Sequence, residues 1–386
     1  MSLLTARALL PELRARYPRL RIVLSTTTMT GQQIARGNLQ YVDEVFYFPF
    51  DFAFIVKRTL RLVKPRLFIS METEIWPNLL RACRGARVHT MLANGRISSR
   101  SYPRYRLARW FFRRVLRDVD RFCMQSEESA RRIVDLGADR DRVIVTGSLK
   151  FDSLEIPGSA PPDRGRNRVL RYFRIPPDRP VVIAASTLKG EEEHVLEAFQ
   201  QIRARTTTAG TLLVIAPRKP ERFDEVERLA RRAGWYVMRR SELRVDAEPR
   251  CDVVVLDSIG ELAQLFQVAT AVFVGGSLVD AGGHNILEPA VFGKPIVFGP
   301  HMQNFAEIAR TFVDNGAAIQ IHAPGELPAA LLDLLGDPVK RARLGAAARA
   351  LVEANRGARA RTLDAIAQLV PPASAQDVVR PFRRVH

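Results

Sequence analysis

From one end of this 386-residue chain to the other, short apolar runs rich in β-forming residues alternate with longer stretches of helical periodicity. That alternation restricts the fold to parallel sheet wound by helices, because parallel strands are joined only by long crossovers. The first series of runs is LRIVLS (20–25), VFYF (45–48), RLFIS (66–70), RVHTML (87–92), DRFCM (120–124) and RVIV (142–145). A Pro-rich polar stretch, IPGSAPPDRGRNR (156–168), interrupts it. The alternation restarts with VVIAA (181–185), TLLVIA (211–216), WYVM (235–238), DVVVL (252–256), AVFV (271–274) and PIVF (295–298). The expected fold is therefore α/β: two facing, Rossmann-like, doubly wound domains over 1–152 and 153–370, with a linker over 151–168 and a cleft between the domains. The tail 371–386 is weakly patterned and is assigned no function.

Charge divides the chain unevenly. The net charge is +18, but residues 1–150 hold 28 basic and 13 acidic side chains, while 151–386 hold 31 and 28. A cationic first half favours phosphate-bearing partners or an anionic membrane surface. Nucleic acid is not expected as a partner, because only net charge suggests it and no RNP, helix-turn-helix or finger signature accompanies the charge. Three scattered cysteines and six dispersed histidines offer no metal-ligand spacing, so no metal is expected and the compartment reads as a reducing cytoplasm. No run of 18 apolar residues is present, and the first residues lack a signal-peptide layout.

The densest polar constellation is AVFVGGSLVDAGGHNILEPAVFGKPIVFGPHMQNFAEI (271–308). A strand ends in Gly275 and Gly276, a second pair follows at Gly282 and Gly283, and His284, Asn285 and Glu288 lead into a helix. Glycines let backbone N–H groups approach an anion, and a helix N-terminus favours phosphate. Glu288 is placed to accept hydrogen bonds from a ribose diol. The competing explanation is a Gly-rich loop built only for tight packing.

Further strand ends point the same way. Arg218 follows a strand after Pro217, where a guanidinium can hold phosphate in two bonds, an ordinary surface arginine being the alternative. Ser258, Ile259, Gly260 and Glu261 sit at a strand-to-helix junction, where plain capping is the alternative. Ser186 and Thr187 follow another strand, and at least two of Glu191 to Glu193 are read as complementing a helix dipole. In the first half, METEIWPN (71–78) sets Glu72 and Glu74 just past a strand among apolar neighbours, suited to acid/base or cation-stabilising work or to capping a helix near Trp76. Hydroxyl-rich STTTMTGQQIA (25–35) suits sugar or phosphate contacts, and Lys150 closes the first domain in VTGSLKFD (145–152). YRLARWFFRRVLRDVDR (105–121) is a basic amphipathic helix, either packed on one face or lying on an anionic membrane.

METEIWPN, TGSLKFD, APRKPERF, the residues Ile259 to Leu262, FVGGSL, GGHNILEPA and GPHMQNF together resemble the bacterial Kdo transferases, metal-independent glycosyltransferases of the GT-B fold, from about residue 3 to about 365. The resemblance implies transfer of 3-deoxy-D-manno-oct-2-ulosonic acid (Kdo) from CMP-Kdo to the lipid A precursor lipid IVA, with inversion, at the cytoplasmic face of the inner membrane. CMP-Kdo would be a substrate, and no cofactor is implied. By the same resemblance Pro217, Arg218, Ile259, Gly260, Glu261, Asn285, Ile286, Leu287 and Glu288 contact CMP, joined in the donor pocket by Ser186 and Gly283. The first domain faces the phosphorylated acceptor. Glu72 and Lys150 stabilise the transition state, with Glu74 a further catalytic candidate. Family members usually begin with a membrane-associated segment and a first strand ending in a Ser-Val-Gly-Glu type motif that carries the presumed base. This sequence opens with MSLLTARALLPELRARYP, resembling the helix after that motif, and a shortened chain is the expectation. The alternatives are another GT-B enzyme using a UDP-sugar, separable by competition of CMP against UDP, and a CMP-binding remnant impaired in catalysis.

Overall fold

The computed structural model describes residues 5–6, 8–37, 39–98, 101–152 and 169–372, so the expected linker beyond 152 and the tail beyond 372 lie outside the described residues. The chain divides into two compact units, Met1–Ser153 with Asn355–His386, and Leu154–Ala354.

In the first unit, β1 (Val23–Thr26) pairs with β2 (Glu44–Tyr47) in a two-stranded parallel sheet. Strands β3 (Leu67–Met71), β4 (His89–Gly95), β5 (Arg121–Met124) and β6 (Val143–Val145) form a separate four-stranded parallel sheet in sequence order. One parallel domain was the expectation; hydrogen bonding splits it into two sheets. Strand β4 is central and buried from Thr90 onward, as a parallel strand covered on both faces should be. Helices Ala53–Val63, Pro77–Gly85 and Arg109–Leu116 lie side by side, the middle one touching both others. The single helix expected over 105–121 is two, Tyr102–Leu107 and Arg109–Leu116, meeting at Ala108 with φ −100° and ψ 25°. Val115 and Leu116 are buried and Phe112 packs on Tyr105, whereas Trp110 and Phe111 face solvent.

The expected boundary at residue 370 is corrected by the last helix, Ala358–Leu369, which belongs to the first unit. Its Leu363, Ala365 and Ile366 share a core with Met91, Ala93 and Cys123. Asp152 accepts hydrogen bonds from the amides of Gly357 (2.9 Å) and Arg359 (2.7 Å) at its start, and Arg361 Nε donates to the Thr146 carbonyl at 2.8 Å. Helical periodicity looks the same whichever sheet receives the helix, so its attachment was not legible locally.

The second unit holds β7 (Val181–Thr187), β8 (Leu212–Pro217), β9 (Val237–Arg239), β10 (Val253–Val255), β11 (Ala271–Val274), β12 (Ile296–Phe298) and β13 (Ile319–Gln320) in one parallel sheet ordered β13-β12-β11-β7-β8-β10-β9. All twelve expected strands form; β13, two half-buried edge residues, was too short to show. The central runs are continuously apolar because helices cover both faces. Val195, Phe199 and Ile202 of helix Glu192–Arg203 and Leu331 and Leu334 of helix Leu327–Gly336 fill one core with Val182, Ile215 and Phe273. Truncating such a side chain to Ala typically costs about 2–5 kcal/mol.

Candidate donor and catalytic sites

In the second unit the chain runs outward from β7 through β8, then crosses back to lay β11 on the other side of β7. Strand order therefore reverses between β7 and β11, and the crevice at their carboxyl ends is the expected ligand position in an open parallel sheet. Two loops meet there. Strand β7 ends through Ser186, held at φ +56°, and Thr187, and the loop after it runs to Glu191. The loop after β11 carries Gly275, Gly276, Ser277 and Leu278.

Glu191 joins these loops. Its carboxylate is fully buried and accepts four backbone N–H bonds: Oε2 from Leu188 (2.9 Å) and Gly276 (2.7 Å), Oε1 from Ser277 (3.0 Å) and Leu278 (2.9 Å). A Cβ on Gly275 would come within 2.8 Å of that carboxylate. The expectation that the amides after β11 receive a ligand phosphate is thus corrected, since an internal carboxylate already occupies them. So is the reading of at least two of Glu191 to Glu193 as dipole partners. Glu192 is buried in an ion pair with Arg222 at 2.6 Å, burial pushing its pKa up against the opposing Arg222, and only Glu193 is exposed.

Arg218, Gly283, His284, Asn285 and Glu288 gather about this junction, whereas Ile259, Gly260 and Glu261 follow β10, on the far side of β8. The Arg218 amide donates to the Thr187 carbonyl at 2.9 Å and leaves its side chain exposed. Gly283, at φ +73°, donates to the Gly276 carbonyl at 2.7 Å. His284 lies against Gly276, where a Cβ would be 2.7 Å from the ring. Burial, aided by the Arg218 charge, pushes the His284 pKa down to about 4, and its buried Nε2 has no hydrogen-bond partner among the described residues. Asn285 accepts from the Leu287 amide at 3.2 Å and donates to Glu288 Oε1 at 3.0 Å. Burial raises the Glu288 pKa, opposed by the Asn285 bond and by Arg218. Pro217 is buried, and Ile286 and Leu287 are wholly inside the core, so the side chains of that pair pack rather than face a ligand. Ile259 is 83% exposed beside Gly260 at φ +88°. Glu261 is held by Arg240 (2.8 Å) and by the Ser258 hydroxyl, and Arg240 stacks on Tyr172 at 3.6 Å, so Ser258 braces Glu261 rather than capping a helix amide.

In the first unit a second cluster forms at the carboxyl ends of β3, β4 and β6. Glu72 follows β3 in the left-handed region, φ +59°, with its amide bonded to the Ala93 carbonyl at 2.8 Å. Such a backbone state in a non-glycine residue is a strain held by its surroundings and concentrates at functional positions. Lys150 is half-buried; burial lowers its pKa while the Glu72 carboxylate opposes that shift. Glu74 is exposed, its carbonyl accepting from the Ser70 hydroxyl. The pair Glu72 and Glu74 therefore separates: Glu72 is coupled to Lys150, and Glu74 is not among the charges acting on it. Sequence reasoning missed Asn94, fully buried at φ +54°, whose Oδ1 accepts the Leu149 amide at 3.0 Å and so fixes the turn carrying Lys150. Its signal was an Asn-Gly pair at a strand end. The partnership of Glu191 with Gly276 had no local signal, because 85 residues separate them.

Among the described residues no group of three or more His, Cys, Asp or Glu is placed to hold a metal ion, and no helix is long and apolar enough to cross a membrane.

A family model described as 3-Deoxy-D-manno-octulosonic-acid transferase (kdotransferase) matches residues 3–153, and one described as Glycosyl transferases group 1 matches 171–351. The chain is 34% identical over 371 residues to the 3-deoxy-D-manno-octulosonic acid transferase of Haemophilus influenzae, covering 94% of this chain and 83% of that protein. It is 36% identical over 382 residues to the enzyme of that name from Bordetella pertussis, covering 95% and 85%. A glycosyltransferase structure from Rickettsia africae shares the fold at a TM-score of 0.60 and 11% identity, over 96% of this chain and 95% of that one. Two Rossmann-like parallel units of this kind make the GT-B plan.

Proposed function

The chain belongs to the 3-deoxy-D-manno-octulosonic acid (Kdo) transferase family and is a glycosyltransferase, and from that premise we propose that it transfers Kdo from CMP-Kdo to lipid IVA in lipopolysaccharide synthesis, with inversion and without a metal ion. The observation that carries the reading is 36% identity sustained over 95% of the chain, with the polar motifs grouped at strand carboxyl ends in each unit. The donor's nucleotide lies over the β7–β11 junction of the second unit. Arg218 holds the phosphate, and Glu288 and the Ile259–Glu261 turn receive ribose and base.

Departure of CMP leaves positive charge on the sugar ring and adds negative charge to the phosphate. Glu72 stabilises the first and Lys150 the second. Lys150 suits this role because partial burial strengthens its field, while the neighbouring Glu72 carboxylate opposes the fall in pKa that burial causes. The acceptor is met by the cationic first unit. That unit exposes Phe50, Phe52, Phe54 and Trp110 beside Lys57, Arg58, Arg109 and Arg113, a composition suited to the face of an anionic bilayer.

The test is a transfer assay with CMP-Kdo and lipid IVA, in the presence and absence of a chelator. Product whose formation is insensitive to chelation and is competed by CMP but not by UDP supports the reading; competition by UDP alone overturns it. In the same assay Lys150→Ala and Glu72→Gln are expected to lower kcat by about 10²–10³-fold, while exposed Glu74→Gln changes it by less than about threefold.

A further inference from the structure

We propose that Glu191 is a specificity-determining residue: by filling the backbone anion nest at the β7–β11 junction with its own carboxylate, it makes the donor pocket select a nucleoside monophosphate sugar and reject a nucleoside diphosphate sugar. The inference rests on the placement of CMP-Kdo in the second unit. A strand end with two glycines and three successive inward amides is an anion-binding concavity, of the kind that receives phosphate in parallel α/β sheets. Here the amides of Gly276, Ser277 and Leu278, with that of Leu188, all point at one buried carboxylate. Gly275 makes room for that carboxylate, since a side chain there would displace it, and Gly276 donates its amide to it.

Two consequences follow for a ligand beside Arg218. No free amide of the nest remains for a second phosphate, and a second phosphate would bring its charge toward a buried anion in a medium that screens poorly. A donor with one phosphate meets neither obstacle.

The test measures Kd for CMP and for CDP by calorimetry on the full chain. The wild-type protein is expected to bind CMP at least tenfold more tightly than CDP. In Glu191→Ala, which empties the nest, and in Glu191→Gln, which removes its charge, the CDP-to-CMP ratio of Kd falls at least tenfold and threefold respectively. Glu193→Gln, an exposed carboxylate two residues on, leaves the ratio unchanged. Wild-type binding of CDP as tight as that of CMP overturns the proposal, and needs no variant to fold. An unchanged ratio in folded Glu191 variants overturns it equally. Absence of any CMP binding to the wild type instead overturns the placement of the donor.

Discussion

His284 shows how much one side chain's surroundings decide. Its imidazole is neutral in the folded chain because burial, reinforced by Arg218, holds its pKa at about 4 against an ordinary 6.5. Above pH 6.5 it is neutral both folded and unfolded, and costs nothing. As pH falls from 6.5 toward 4, the unfolded chain takes a proton that the folded chain refuses, so stability is lost through that window. His284→Gln should remove this loss, retaining about 1–2 kcal/mol more than wild type between pH 7 and pH 4.5 after allowance for partial exposure, as denaturant titrations at the two pH values would show. At this scale the sequence showed which residue types gather at strand ends. It did not show that Glu72 is the strained, Lys150-coupled member of its pair, because φ at a strand exit depends on what packs around it.

Among the elements, two helices of the second unit meet through glycine. Gly345, inside helix Pro338–Ala354, lies so close to the loop after helix Leu287–Val291 that a Cβ there would run into the carbonyl oxygen of Gly293. Gly345→Ala would ordinarily favour a helix by about 1 kcal/mol. Here overpacking reverses the sign, and the expected result is a net loss of about 1–3 kcal/mol, read as a lower Tm. Displacing helix Leu287–Val291 also moves Asn285 and Glu288 at its start, so the KM for CMP-Kdo rises in the same variant. Element positions were largely legible because apolar runs and helical periods alternate cleanly. The break at Ala108 was not, since Arg109 to Leu116 continues the same composition.

For the whole molecule, the unequal charge is the dominant physical fact. Residues 1–150 carry +15 of the +18, and the exposed aromatics Phe50 (77%), Phe52 (59%) and Phe54 (73%) lie in that half. Binding to vesicles containing phosphatidylglycerol is therefore expected to weaken at least tenfold between 50 and about 300 mM salt, where screening shortens the reach of the charges. Replacing Phe50, Phe52 and Phe54 together by Ser should weaken it further, about tenfold, without changing CMP affinity, because those rings are exposed and lie outside the second unit. Co-sedimentation with the vesicles checks both. Equal retention on neutral vesicles would show that charge is not the attraction.

The sequence by itself determined the α/β class, the strands, the two-unit organisation and which polar residues gather at strand ends. Each of these follows from local periodicity or from residue types at strand ends. Tertiary structure alone decided that the strands before Pro65 form a sheet of their own, that helix Ala358–Leu369 completes the first unit, and that the glycines after β11 enclose the carboxylate of Glu191. These outcomes depend on partners far away in sequence, 85 residues apart for Glu191 and Gly276 and 205 for Asp152 and Gly357. A local pattern carries no record of which distant backbone will supply the hydrogen-bond donors that a buried carboxylate requires.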